Sequence, residues 1–267
     1  VRVPALIAVL LAAATPPAPN APLPTTPKSI AVALTSTTAE LDAAIAGWRA
    51  DGAAASAPDD LVLQALYQQR LTRLLSARRP LAAATLPLLP SNLRGFVRDV
   101  VVAHRELVAI TPPLRTRAPH VGAAAPAPSL LSYYREAGRR FGVPWHVLAA
   151  VNFVESAFGK LRSASAAGAQ GPMQFMPSTW RAYGLGGDVH DPHDAILGAA
   201  NYLRASGARR DIRRALHAYN PSPLYVDAVL RYARRIRADL DAFDTFYNWQ
   251  VFVRTQSGVA RLTGPGR

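Results

Sequence analysis

The tightest constraint in this sequence is a helix-length run that is largely apolar and ends on a carboxylate. Residues 144–153 open on Pro144, a residue well tolerated in a helix's first turn, and carry Val147, Leu148, Val151 and Phe153, with Val154 just beyond. That apolar surface requires packing against other elements. Glu155 then arrives at or near the helix end. A carboxyl group there is either a misplaced cost or a tool.

The chain beyond Glu155 is unlike a plain core helix or a linker. After Glu155-Ser156-Ala157-Phe158-Gly159 comes a block from Gly168 to Trp180, which concentrates glycine, proline, glutamine and large apolar groups. Two readings of Glu155 are open. It is a solvated helix-end residue, as glutamates often are, or it sits in a partly dry cleft with a raised pKa and carries a proton near neutrality. Glycosidic bond cleavage needs the second kind of group, because the leaving oxygen must be protonated as the bond breaks. Most glycosidases also use a second carboxylate. Asp188, Asp191 and Asp194 are the available contributors, although each has a ready structural use in a loop or at a helix start.

Other chemistries find little support. The 267 residues include no cysteine, which leaves no basis for disulfides, thiolate metal sites or a cysteine-linked lipid within them. Six histidines are scattered without a His-Glu-x-x-His arrangement. The densest mixed cluster, Asp188, His190, Asp191, His193 and Asp194, reads as a loop and a helix cap and does not fit a calcium-binding loop. No metal or cofactor is expected. Serines near Glu155 lack the glycine-x-serine-x-glycine elbow of a serine hydrolase. The formal charge of +13 comes from 30 basic and 17 acidic residues, with lysine only at positions 28 and 160. No basic run is interleaved with aromatics, so the charge suits peripheral association with an anionic envelope better than a nucleic-acid partner.

Along the chain, residues 1–14 read as an export signal: Arg2, an apolar centre from Leu6 to Leu11, then Ala12-Ala13-Ala14. Residues 15–36 read as a Pro/Ala-rich linker. Residues 37–110 read as a helical accessory region. Its first helix carries Leu41, Ile45 and Trp48. The second presents Leu63, Leu66, Tyr67, Leu71, Leu74 and Leu75 and is closed by Pro80, and the third spans about residues 93–110. His104 reads as a solvated or core-edge histidine. A Pro-rich connection covers residues 111–129, and residues 130–240 read as a mainly helical domain ending in a long helix from Tyr225. Residues 241–267 make an aromatic extension with a frayed tail. Its aromatics are expected to pack on the domain, with stacking on sugar as the alternative. The fold class is mainly α, without a major sheet.

Glu155-Ser156, the block Gly171-Pro172-Met173-Gln174-Phe175-Met176-Pro177-Ser178-Thr179-Trp180, and Ala218-Tyr219-Asn220 resemble, in order and spacing, the three signatures of the lytic murein transglycosylases, of actinobacterial type. Those enzymes have a catalytic domain related to goose-type lysozyme, and the likeness covers about residues 130–240. It implies an exported enzyme of the cell envelope, periplasmic or extracellular, acting on peptidoglycan glycan strands. It also implies that Glu155 is the general acid and then base of a non-hydrolytic cleavage giving 1,6-anhydromuramoyl ends. Ser156 would help orient Glu155, and Gln174 would hydrogen-bond the sugar or its acetamido group, unless it serves its own turn. Phe175 and Met176 would support the cleft wall, Tyr219 would lie near Glu155, and Asn220 would position substrate or end a helix. A hydrolytic muramidase using the same Glu155, or a glycan-binding scaffold without turnover, are the alternatives.

Overall fold

The computed structural model describes residues 15–53, 56–114 and 119–267. The export signal expected over residues 1–14 lies outside them. The fold is mainly helical, as expected.

The first helix, α1 (Pro27–Ala50), begins ten residues earlier than the linker reading of residues 15–36 allows. Thr26 caps it in a reciprocal box with Ser29, and Pro27 occupies its first turn. Ile30, Ala31 and Leu34 then continue inward the stripe that Leu41, Ile45 and Trp48 complete. Only residues before Thr26 keep the character of a connecting segment.

Helix α2 (Asp59–Ala77) buries a different face from the one its leucines suggest. Leu61, Ala65, Leu66, Leu71 and Leu75 are inside, whereas Leu63, Tyr67 and Leu74 are only half-buried. Glutamines occupy the rest of the buried face because each finds a partner. Gln69 exchanges two hydrogen bonds of 2.9 Å with the backbone of Gln250, and Gln68 donates to Thr38 Oγ1 at 3.0 Å. Pro80 does not close α2. It starts a short helix, α3 (Arg79–Thr85), where a missing N–H costs nothing.

Helix α4 (Ser91–Ile110) matches its expected span and lies against α10 (Pro223–Ala238). The buried carboxylate of Asp99 joins the two, accepting from Arg234 at 2.6 and 3.0 Å and from Arg235 at 2.5 Å. Glu106 adds a pair with Arg231 at 3.2 Å. Accessory and C-terminal helices therefore share a core, in which Leu41, Leu61 and Val100 belong to the same apolar cluster as Leu148, Ile196 and Val229.

The apolar run becomes α6 (Trp145–Ser156), buried from Val147 to Asn152 without interruption. It packs against α10, against α5 (Ala127–Phe141) and against α8 (Pro192–Ala205), as a helix apolar all round must. The connections are helical too: α7 (Pro177–Tyr183), α9 (Ile212–Tyr219) and α11 (Leu240–Asn248). Phe243 and Phe246 of α11 are fully buried and Trp249 nearly so, which uses these rings for packing and not for sugar.

The frayed tail is corrected as well. Strands β1 (Phe252–Thr255) and β2 (Gly258–Arg261) form an antiparallel hairpin. Beyond it the Gly266 carbonyl accepts from Arg261 Nη2 at 2.8 Å and from Asn20 Nδ2 at 3.1 Å. Among the described residues, no helix is long and apolar enough to cross a membrane.

Candidate active site

Glu155 occupies the last turn of α6, where the helix is stopped abruptly. Ala157 and Phe158 adopt φ of 51° and 63°, and their amides return to the carbonyls of Phe153 and Asn152. Buried Phe158 anchors the reversal. Glu155 is partly buried as a residue, while its carboxyl group sits in a strongly desolvated setting.

Ser156 does not touch the carboxylate. Its hydroxyl accepts from the Gly159 amide at 2.8 Å and donates to the Pro172 carbonyl at 2.5 Å. The same carbonyl accepts from Asn152 Nδ2 at 2.7 Å, and Asn152 Oδ1 accepts from the buried Tyr134 hydroxyl at 2.5 Å. This enclosed polar chain bolts the end of α6 to the glycine-rich block. Ser156 therefore fixes the turn that immediately follows Glu155.

The block itself is a tight loop closed by paired backbone hydrogen bonds of 2.8 Å between Gln170 and Phe175. Gly171 has φ of 72°, and a Cβ there would lie 1.9 Å from the Val189 carbonyl oxygen, so only glycine fits. Gln174, with φ of 50°, donates from Nε2 to the Gly171 carbonyl at 2.9 Å. In this structure its amide serves the turn, the structural alternative read from the sequence. Phe175 is 2% exposed and packs edge-on against Trp180 and Tyr219, so it supports the wall from behind. Met176 is 41% exposed and offers the apolar surface that Phe175 does not.

Tyr219 ends α9, and its hydroxyl donates to the Met173 carbonyl at 2.6 Å, tying α9 to the loop. Asn220 caps the helix by donating its amide to the Leu216 carbonyl at 3.0 Å, and its own carbonyl accepts from the Ser222 amide at 2.8 Å as the chain turns into α10. The group that reaches Glu155 is Tyr225, whose hydroxyl donates to Oε1 at 2.6 Å. The sequence alone marks Tyr225 as no more than the first residue of a long helix. Its available signal is Ser222, which caps α10 by accepting from the Tyr225 amide and so turns that ring inward beside Tyr219.

Electrostatics follow from this packing. Burial raises the Glu155 carboxyl to about 7, against which the Tyr225 hydrogen bond pulls downward. Burial, and then the charge of Glu155, hold both Tyr219 and Tyr225 well above the usual phenol range. Both remain donors at neutral pH. Among the described residues, no second carboxylate contributes to the environment of Glu155. The three candidates are engaged in capping: Asp191 accepts from the amides of His193 and Asp194, Asp194 from that of Asp188, and Asp188 from that of His190. Nor do the described residues hold a group of three or more His, Asp or Glu arranged for a metal ion.

A carboxyl raised to about 7 on a fixed helix end, clamped to the glycine-rich loop and flanked by two neutral phenols, is equipped for general acid and base work. Residues 132–240 match the model of the family described as the Transglycosylase SLT domain. No solved structure matches the chain closely. SLT-family enzymes cleave glycosidic bonds in peptidoglycan and are associated with the cell envelope. On the family match, the chain carries an SLT-type lytic transglycosylase domain over residues 132–240, preceded by helices that pack into the same core.

Proposed function

We propose that Glu155 alone carries both proton transfers in a non-hydrolytic cleavage of the β-1,4 bond between N-acetylmuramic acid and N-acetylglucosamine. The observation that carries this reading is the 2.6 Å contact between Tyr225 and a Glu155 carboxyl raised to about 7 by burial. Protonated Glu155 gives its proton to the leaving glycosidic oxygen as the C1–O bond breaks. The muramoyl 2-acetamido oxygen closes on C1, forming an oxazolinium-like intermediate. Ionised Glu155, held by Tyr225, then takes the proton of the same sugar's 6-hydroxyl as that oxygen attacks C1 and the acetamido oxygen departs. The product is a 1,6-anhydromuramoyl end, and Glu155 is protonated again. Attack within one sugar has the advantage of proximity, and it needs no second carboxylate to activate water.

In this reading Tyr219 and Ser156 position the site, Met176 supplies apolar wall, and Asn220 and Gln174 hold its turns in shape for substrate. Residues 130–240 are the catalytic part, and the protein works outside the cytoplasm. Mass spectrometry of peptidoglycan fragments released by the purified chain tests it. Anhydromuramoyl ends, one water lighter than reducing ends and absent with Glu155→Gln, are expected. Reducing ends would make the enzyme a muramidase, and tight glycan binding without release would leave a scaffold.

A further inference from the structure

Far from Glu155 in sequence, α2, α4 and the C-terminal hairpin, with Leu23, border a cavity of about 390 Å³ that is open to solvent. Four guanidinium groups line it: Arg70 and Arg73 of α2, Arg105 of α4 and Arg254 of β1. Their partners set this place apart. Five described arginines elsewhere pair with carboxylates: Arg49 with Asp241 and Asp244, Arg213 with Asp227, Arg231 with Glu106, and Arg234 and Arg235 with Asp99. Single arginines such as Arg94 and Arg162 rest on carbonyls, but here four unpaired ones border one cavity. Among the described residues no carboxylate pairs with the four around the cavity, and the remaining residues of the chain include no Asp or Glu.

Each of the four is nevertheless held in position, always by a neutral acceptor. Arg105 donates to the carbonyls of Ser76 at 3.1 Å and Leu75 at 3.5 Å, in the last turn of α2. Arg254 donates to those of Val108 at 2.8 Å and Thr111 at 3.1 Å, where α4 ends. Arg70 donates to Pro19 at 3.2 Å. Arg73 lies 2.7 Å from His104 Nε2 and 4.4 Å over the ring of Phe252. Arginine can only donate, so Nε2 of His104 accepts and its proton sits on Nδ1, 2.7 Å from Ser76 Oγ. Ser76 completes the circuit by donating to the Arg73 carbonyl at 2.8 Å. Burial, followed by the nearby Arg73, drives His104 down to about 3, so it stays neutral. A carboxylate in its place would orient Arg73 equally well and cancel its charge. The histidine orients and leaves the charge standing.

We propose that this cavity is a binding site for a phosphate group carried on a partly apolar ligand. Guanidinium forks match phosphate oxygens, and a phosphate has enough acceptors to serve several forks together where a carboxylate has two oxygens. Leu74, Val108 and the 58% exposed Val259 line the rest of the cavity and suit an apolar continuation. No internal carboxylate neutralises these four groups, and such an anion would do so on entering. The site is independent of the chemistry assigned to Glu155.

The test is calorimetry of the full chain with glycerol 3-phosphate and with acetate, beside sedimentation with phosphatidylglycerol and phosphatidylcholine vesicles. The rim variant Arg105→Gln/Arg254→Gln is compared with Arg139→Gln/Arg140→Gln, which removes the same charge from an exposed helix end. The rim variant should weaken phosphate binding at least tenfold, with the control unchanged, and it should still cleave peptidoglycan. Binding of glycerol 3-phosphate in solution would point to a soluble or polymer-borne phosphate, and binding confined to phosphatidylglycerol vesicles to a lipid headgroup. Equal loss in the control, equal binding of acetate, or no binding of either phosphate probe by the wild-type chain overturns the proposal. Glu155→Gln should bind as the wild type does, which separates failure here from failure of the cleavage mechanism.

Discussion

The Tyr225 hydroxyl stands 2.6 Å from Oε1 of Glu155, across 70 residues of chain, and joins the start of α10 to the end of α6. A hydrogen bond to a carboxyl favours its ionised form, while burial favours the protonated one. The balance sets where the group titrates. Tyr225→Phe removes the opposing pull, so Glu155 should titrate above about 7. The alkaline limb of kcat/KM should move to higher pH while kcat falls about tenfold or more. A pH–rate profile with that limb unmoved would show that the two groups are not coupled.

The same burial has a signature in stability. Because the folded Glu155 holds its proton up to about 7 and the unfolded one releases it near 4.5, the folded state binds more protons in that window. Stability therefore falls as pH rises from about 4.5 to about 7 and then levels off, with Glu155 accounting for up to about 3 kcal/mol. Glu155→Gln should lose activity and gain about 1–3 kcal/mol at pH 8, with little gain at pH 4. Urea denaturation at the two pH values checks this, and equal gains at both would contradict it.

Ser156→Ala leaves the Pro172 carbonyl with Asn152 as donor but frees the turn after α6. A loss of about 1–2 kcal/mol is expected from the missing buried hydrogen bonds. Since Ser156 acts by holding the turn, kcat should drop with KM nearly unchanged. Thermal melting combined with steady-state turnover of a soluble glycan separates that result from simple unfolding.

Gly171→Ala puts a methyl group where the Val189 carbonyl already lies, in a backbone conformation that alanine resists. We expect about 3 kcal/mol or more of destabilisation. The loop that carries Gln174 and Met176 should then be cleaved faster by added protease than in the wild type.

Asp99→Asn removes the buried carboxylate that the half-exposed Arg234 and the partly buried Arg235 share between α4 and α10. About 1–3 kcal/mol should be lost, since the arginines left behind keep contact with water. Asp99 is held below the ordinary carboxylate range by these arginines against the opposing effect of burial. Its contribution is thus present above the unfolded value of 3.8 and disappears as pH falls through the lower folded value. Wild type and variant should converge in stability in strong acid, which a pH series of melts would reveal.

How much of this is legible in the sequence depends on whether neighbours in the chain decide the outcome. Residues 144–155 can be read as a core helix with a terminal carboxyl because periodicity is local, and the α8 start can be read from Asp191-Pro192. Helix α1 starts earlier than its apolar stripe announces, because Thr26 and Ser29 look like linker residues until their reciprocal cap is formed. The glutamines of α2 look solvated until Gln250, 181 residues away, supplies the partner for Gln69. Gln174 and Tyr225 exchange significance for the same reason. One is consumed by its own turn, and the other reaches the carboxyl only once α10 lies across α6.

The helices before residue 111 share their interior with those that carry Glu155. A fragment cut at the Pro-rich connection would expose to water the surfaces of α10 and α11 that α4, α2 and α1 now cover. Such a fragment should be sticky and prone to precipitate. Loss of turnover in it would report collapse and say nothing about what the removed helices recognise. Their role has to be sought with point changes on the outer face, in a chain left whole.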